Sequence, residues 1–140
     1  MSVINPFHLA IPVHDIDACR PFYLEVLECQ PGRSSETWLD LNFFGHQLVL
    51  HQTDMRQMGK HNDVDGHKVP VPHFGVVMRM PEWHAVVQRL EAHQVTFLLP
   101  PHIRFQGKAG EQATCFVQDP AGNALEFKAF ADMDRLFATD

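Results

Sequence analysis

Two stretches of this chain occur twice, and an internal repeat constrains a fold more than composition does, because each copy has to build the same unit. His8-Leu-Ala-Ile-Pro12 recurs in kind as His73-Phe-Gly-Val-Val77, and Gly45-His-Gln-Leu-Val-Leu50 recurs as Gly122-Asn-Ala-Leu-Glu-Phe127. The first pair opens on a histidine in both copies. The second pair aligns Val49 with Glu126, the second copy being longer between its marked positions. His8, His73 and Glu126 are therefore expected on related strands, with apolar Val49 where a fourth polar group would have stood.

Length and charge bound what such a chain can do. At 140 residues it is expected to fold as a single domain whose core needs no disulfide or structural zinc. A net charge of −6 and the lack of a basic stripe disfavour nucleic acid and anionic membrane surfaces as partners. Cys19, Cys29 and Cys115 are isolated, which argues against a disulfide framework and against a thiolate zinc site and fits a reducing cytoplasm. No basic leader opens the sequence, and no stretch reaches the roughly 20 apolar residues that span a bilayer, so a soluble protein is expected.

Periodicity then places the elements. Phe7 to Val13 alternates as a strand, with His8, Ala10 and Pro12 on one face. A short helix comes next, carrying Ile16, Cys19, Phe22, Tyr23, Val26 and Leu27 on one stripe; Asp15 or Asp17 can cap it, and the need to keep Pro21 near its start favours Asp17. Pro31-Gly32 interrupts the chain, and strands are expected at Thr37 to Phe43 and His46 to His51. Module one spans 6–51, a polar linker 52–71, module two 72–130 and a tail 131–140. In the second module Pro72 to Met78 is a strand, Pro81 suits a helix N-terminus, Val95 to Leu99 is a strand ended by Pro100-Pro101, and 102–111 is a loop. Gln112 to Gln118 and Asn123 to Phe130 are strands joined by the turn Asp119-Pro-Ala-Gly122. Each half is then strand, helix and three strands, an α+β fold of two βαβββ modules.

A divalent ion needs nitrogen or oxygen donors converging from rigid elements, and two imidazoles with one carboxylate supply them. A lone histidine or glutamate on a strand is more often a surface or hydrogen-bonded residue. Placement at equivalent points of a repeat is what singles out His8, His73 and Glu126 as metal ligands. Two histidines and a carboxylate on one side of an ion leave the other side open to water, substrate or dioxygen, as in non-haem Fe(II) sites. Ala10, Gly75 and Ala124, each two residues from a candidate ligand on the same strand face, leave room for a small molecule.

These residues resemble the vicinal oxygen chelate superfamily of glyoxalases, extradiol dioxygenases, fosfomycin-resistance proteins, epimerases and bleomycin-binding proteins. The likeness rests on His8, on Phe22-Tyr23 with Val26-Leu27, on His73, and most specifically on Asp119-Pro-Ala-Gly-Asn-Ala-Leu-Glu126. It implies two modules whose curved sheets form an open barrel around a metal-binding cavity. Glyoxalase I and the epimerases usually add a fourth protein ligand where Val49 stands, so extradiol dioxygenases and fosfomycin-resistance proteins, which use His, His and Glu, look closer. His46 is similar to the histidine that acts as acid and base in the extradiol enzymes; its alternative is a histidine at a strand end facing water. Phe116 stands where they carry a tyrosine, and no histidine stands near Gly107, although His102 or Arg104 could substitute. Fosfomycin-resistance proteins carry a threonine after the first ligand and a serine-rich loop, where this chain has Leu9 and Gly110-Glu-Gln-Ala-Thr114. Further pocket candidates are His51, Trp38, Asn42, Arg104, Phe105, Glu111 and Lys128, with core packing the competing role for Trp38 and Phe105.

The expectation is a metal-dependent enzyme resembling an extradiol dioxygenase, using Fe(II), with Mn, Zn or Ni as alternatives, on a catechol-like or other vicinal-oxygen small molecule. A metal-dependent isomerase, epimerase or glyoxalase/fosfomycin-type transferase is the second expectation, and a metal-free small-molecule-binding protein the third. The resemblance also implies a homodimer.

Overall fold

Alternation decides which side of each strand turns inward. Leu39, Leu41 and Phe43 are buried, as are Leu48 and Leu50 on the neighbouring strand, and Ile11 and Val13 on the next. Burying one such leucine contributes about 1.5–3 kcal/mol. The partners are the stripe foreseen on the first helix: Ile16, Cys19, Phe22, Tyr23, Val26 and Leu27 are all buried. The computed structural model describes residues 4–54, 60–64 and 67–139.

The chain divides into two compact units, Met1–Met58 with Asp119–Asn123 and Gly59–Gln118 with Ala124–Asp140. Unit 1 holds β1 (His8–Val13), α1 (Ile16–Arg20), β2 (Gln30–Ser34), β3 (Trp38–Phe43) and β4 (His46–Gln52). Its four-stranded sheet runs β1-β4-β3-β2, with β1 parallel to β4 and the rest antiparallel. Unit 2 holds β5 (Lys60–Val64), β6 (His67–Val71), β7 (Phe74–Arg79), α2 (Met80–Ala92), β8 (Phe97–Arg104), β9 (Gln112–Gln118) and β10 (Ala124–Phe130). Its sheet repeats the plan as β7-β10-β9-β8, again with one parallel pair, β7 with β10. These are βαβββ modules of an α+β fold, and each sheet is open rather than closed into a barrel. Among the described residues no helix is long and apolar enough to cross a membrane.

Four local expectations change. Asp15, not Asp17, caps α1, its Oδ1 accepting the Asp17 and Ala18 N–H groups at 2.9 and 3.4 Å. Pro21 is absorbed further along, where the helix widens into a π-helical segment, Pro21–Val26, closed by Leu27 N–H to Phe22 O at 3.0 Å. Pro21, which has no N–H to return to α1, stands at the first position of that segment. Pro31-Gly32 and Pro100-Pro101 do not stop their strands. Both lie on edge strands, β2 and β8, where one side of the backbone needs no ladder partner, and the register shifts around both. The loop expected over 102–111 accordingly starts after Arg104. Finally, the stretch read as a polar linker, 52–71, carries the antiparallel pair β5 and β6.

Unit 1 contains a buried polar cluster. Tyr23 OH donates to Asp119 Oδ2 at 2.7 Å, and Asn123 Nδ2 donates both to the same oxygen at 3.0 Å and to Pro12 O at 2.8 Å. Asp119 Oδ1 accepts the Ala121 and Asn123 N–H groups, each at 2.9 Å. Every lone pair of the buried carboxylate thus meets a donor, which is the condition for burying it at low cost. Burial, and then the neighbouring Asp119, push the Tyr23 hydroxyl well above its ordinary range. The three cysteines are buried free thiols, and burial pushes Cys19 and Cys115 up to about 12, so they act as packing groups.

Candidate metal centre

A tight turn just ahead of β10 sets which way the strand's side chains point. Gly122 N–H returns to Asp119 O at 3.0 Å, and Gly122 takes φ +94, a conformation glycine adopts without strain. Leu125 and Phe127 then face the core beneath α2, where Trp83 Nε1 donates to Phe127 O at 2.8 Å. Strand alternation turns Glu126 to the opposite face. Gly75 is its partner on β7, and the pairing is tight: a Cβ at position 75 would overlap the Glu126 carbonyl oxygen. Gly75 therefore serves close backbone approach at least as much as it leaves room for a ligand.

His73, just ahead of β7, meets Glu126 with Nε2 3.2 Å from Oε1. Its Nδ1 donates to Pro70 O at 2.7 Å, which leaves Nε2 as the nitrogen that faces the carboxylate. The ring stands edge-on to Phe116, their centroids 5.0 Å apart. Thr114 Oγ1 donates to Glu126 Oε2 at 2.5 Å, and Lys128 Nζ lies 3.7 Å from the same oxygen. Burial alone would push the Glu126 carboxyl up; hydrogen bonds from His73 and Thr114, with the Lys128 charge, hold it below its ordinary value. The bond to Glu126 raises His73, against burial, which lowers it.

The spacing fits a shared ion. Two donors each about 2.1 Å from one metal, at an angle of about 90–110°, stand about 3.0–3.4 Å apart, and 3.2 Å falls in that range. A second oxygen acceptor behind the histidine, here Pro70 O, is the outer support that metal-bound imidazoles characteristically have. His8 has the same support in unit 1: its Nδ1 lies 2.7 Å from Gln47 Oε1, leaving Nε2 with the lone pair. Among the described residues, no group of three His, Cys, Asp or Glu side chains is placed to hold a metal ion. Unit 2 brings His73 and Glu126 together; His8 belongs to unit 1.

The strand registers reproduce the repeat. Ala10 pairs with Val49 in unit 1 as Gly75 pairs with Glu126 in unit 2, and Pro12 pairs with His51 as Val77 pairs with Lys128. Val49 is thus the structural equivalent of Glu126, on the face that carries His8, and it is 6% exposed. Trp38 pairs with His51 and Asn42 with Gln47, so all four share that face; Asn42 Oδ1 also accepts Gly45 N–H at 2.8 Å, holding the β3–β4 turn. His46 pairs with Phe43, which assigns it to the opposite face with Leu48 and Leu50. Its Nδ1 accepts Phe7 N–H at 2.8 Å, leaving Nε2 as a donor only. In unit 2, Phe116 is buried beside Glu126, Phe105 is half exposed with the Arg104 guanidinium 5.0 Å from its ring centroid, and Glu111 Oε1 accepts Gly107 N–H at 2.7 Å. Thr114, Gln47 and the Pro70 carbonyl are contributors that sequence reasoning missed; only Thr114 left a trace, in its parity with Phe116 along β9.

A family model described as the Glyoxalase/Bleomycin resistance protein/Dioxygenase superfamily matches residues 6–127. The chain belongs to this superfamily. Among solved structures, a glyoxalase/bleomycin resistance protein/dioxygenase from Alicyclobacillus acidocaldarius is 32% identical, with 96% of each chain covered and a TM-score of 0.77. The genomically encoded fosfomycin resistance protein FosX of Listeria monocytogenes, 17% identical with 96% of this chain and 99% of that one covered, has a TM-score of 0.70. The lactoylglutathione lyase of Agrobacterium tumefaciens, 18% identical over 99% and 98%, has a TM-score of 0.64. These last two share the superfamily fold with the chain. No curated protein matches it.

Proposed function

We propose that this superfamily member is a divalent-metal-dependent enzyme with His8, His73 and Glu126 as ligands and Fe(II) as the favoured ion, acting as an extradiol-type dioxygenase on a catechol-like or other vicinal-oxygen small molecule. The observation that carries this is the His73–Glu126 pair, its imidazole backed by Pro70 O and its carboxylate by Thr114. The donor set, nitrogen with a single carboxylate, suits Fe(II), Mn, Zn or Ni. When bound, the ion would supply a Lewis acid for two adjacent substrate oxygens and redox chemistry with dioxygen.

The chain's own residues do the positioning. Pro70 O and Gln47 Oε1 set the two imidazole tautomers, and Thr114 occupies Glu126 Oε2 so that Oε1 is the oxygen turned toward His73. Phe116, 3% exposed, packs edge-on to His73 and keeps water from that flank. Val49 in place of a second carboxylate leaves an open coordination position, which supports dioxygen chemistry over glyoxalase-like chemistry. Three buried free thiols suit a reducing, cytoplasmic compartment.

The placement of His46 favours a second proposal, metal-assisted isomerase, epimerase or transferase chemistry with Mn, Zn or Ni. On the sheet face opposite His8, and with its Nδ1 lone pair committed to Phe7 N–H, His46 is poorly set to cycle a proton for ring cleavage. Oxygen uptake by anaerobically purified, Fe(II)-loaded protein mixed with a panel of catechols separates the two. Uptake with appearance of a ring-opened chromophore supports the dioxygenase; absence of uptake across the panel, with metal bound, overturns it in favour of non-oxidative chemistry.

A further inference from the structure

Lys128 is the charge on the Glu126 face that the metal centre does not use. Oε2 of Glu126 already accepts the Thr114 hydroxyl at 2.5 Å, whereas the Lys128 ammonium stands 3.7 Å from the same oxygen, beyond hydrogen-bond length. Its side chain is 30% exposed, so the charge stands at the site without being sealed into the core. The neighbouring register adds further basic groups. Thr114 pairs with Lys128 on β10 and with His102 on β8, which sets the three side chains in one row across three strands. Arg104 lies two residues beyond His102 on β8, paired with Gln112, and therefore on the same face. The described residues of these three strands set one carboxylate on this face, Glu126, whose charge the metal would share; His102 Nδ1 meets Pro100 O at 3.0 Å, the Arg104 guanidinium stands 5.0 Å from the Phe105 ring centroid, and Glu111, just ahead of β9, is turned to the Gly107 N–H.

We propose that Lys128, with His102 and Arg104 on the same face two strands away, receives an anionic group of the substrate, so that the molecule this site takes is a vicinal diol or equivalent chelator bearing a carboxylate. The inference rests on the metal-centre proposal and names the substrate class for it. One ammonium offset from the ligand carboxylate calls for one negative charge offset from the chelating oxygens, which is what a carboxylate on a dihydroxyaromatic ring provides. Pairing it there also gives the ammonium the hydrogen-bonded acceptor that Glu126 does not supply.

The test uses the Fe(II)-loaded protein under anaerobic conditions, titrated calorimetrically with catechol, 2,3-dihydroxybenzoate and 3,4-dihydroxybenzoate. A charge-assisted bond predicts that wild-type protein binds at least one of the dihydroxybenzoates about 10- to 100-fold more tightly than catechol. That preference falls to near unity in Lys128→Met and returns in Lys128→Arg; taking the ratio of the two ligands within each variant cancels any change in metal loading or stability. Equal affinity for catechol and both carboxylates in wild type, or a preference that survives Lys128→Met, overturns the inference while leaving the metal centre standing. Failure of all three ligands to bind overturns the vicinal-oxygen proposal and this inference with it.

Discussion

Thr114→Val keeps the shape of the side chain and deletes its donor. In the wild-type chain the hydroxyl, on a residue 4% exposed, donates to Glu126 Oε2 at 2.5 Å and, under the proposed ligand set, would decide which carboxylate oxygen is left for a metal. A hydrogen bond to an ionised group contributes about 1.5–3 kcal/mol. Every 1.4 kcal/mol is about a factor of ten in an equilibrium constant, so metal affinity should fall about 10- to 100-fold, the usual effect of removing an outer partner of a ligand. Without the hydroxyl, Oε2 is free to join Oε1 on the ion, and the carboxylate should become bidentate. The assay is competition for Co(II) against a chelator of known affinity, read by the visible spectrum, in which a change of coordination number alters band position and intensity. Thr114→Ser should restore both affinity and spectrum, because it returns the donor without the methyl group. Affinity within about twofold of wild type and an unchanged spectrum in Thr114→Val would refute the assignment, since that is far less than the loss of a charged hydrogen bond.

Other substitutions probe the frame around the site. Gly75→Ala places a Cβ against the Glu126 carbonyl and should destabilise the chain by at least about 1–3 kcal/mol in urea unfolding, with weaker metal binding; unchanged stability would mean that β7 and β10 are not this close. His46→Ala removes the acceptor for Phe7 N–H and should lower stability by about 0.5–1.5 kcal/mol with metal content intact. If stability is instead unchanged and turnover falls by about 10²–10⁴, the acid–base role returns. In the metal-free protein the His73–Glu126 pair should contribute most between the ordinary values of its members. The raised His73 contributes fully below 6.5 and loses its contribution as pH climbs through its folded value, while the lowered Glu126 contributes above 4.5 and loses it as pH falls through its own. Unfolding free energies of wild type and Glu126→Gln should therefore differ most between those limits, and a difference that does not vary with pH would contradict the pairing.

Which side chains share the face of the candidate site was legible in the sequence because a strand has a strict period. Once Leu125 and Phe127 are read as core, Glu126 must face the other way, and the repeat carries the same logic to Val49, whose pairing with Ala10 the structure reproduces. The same rule assigns His46 to the face of Leu48 and Leu50, so alternation weighed against the likeness that singled it out. Proline misled at β2 and β8 because edge position, which makes proline tolerable in a strand, is a property of the assembled sheet. Asp15 lost out to Asp17 in the sequence for a related reason, as the π-helical turn that accommodates Pro21 has no local signature. The supports at Pro70, Gln47 and Thr114 act across strands or through a backbone carbonyl, and nothing in their residue types marks them.

The most direct test of the proposed metal centre is the stoichiometry and affinity of Fe(II) binding to anaerobically purified protein, measured for wild type, His8→Ala, His73→Ala and Glu126→Gln. One tightly bound ion per chain is expected in wild type, with loss of tight binding in each of the three variants and each variant still folded by circular dichroism. Undiminished binding in any of them, or a wild-type protein that binds no divalent ion, would contradict the proposed metal centre.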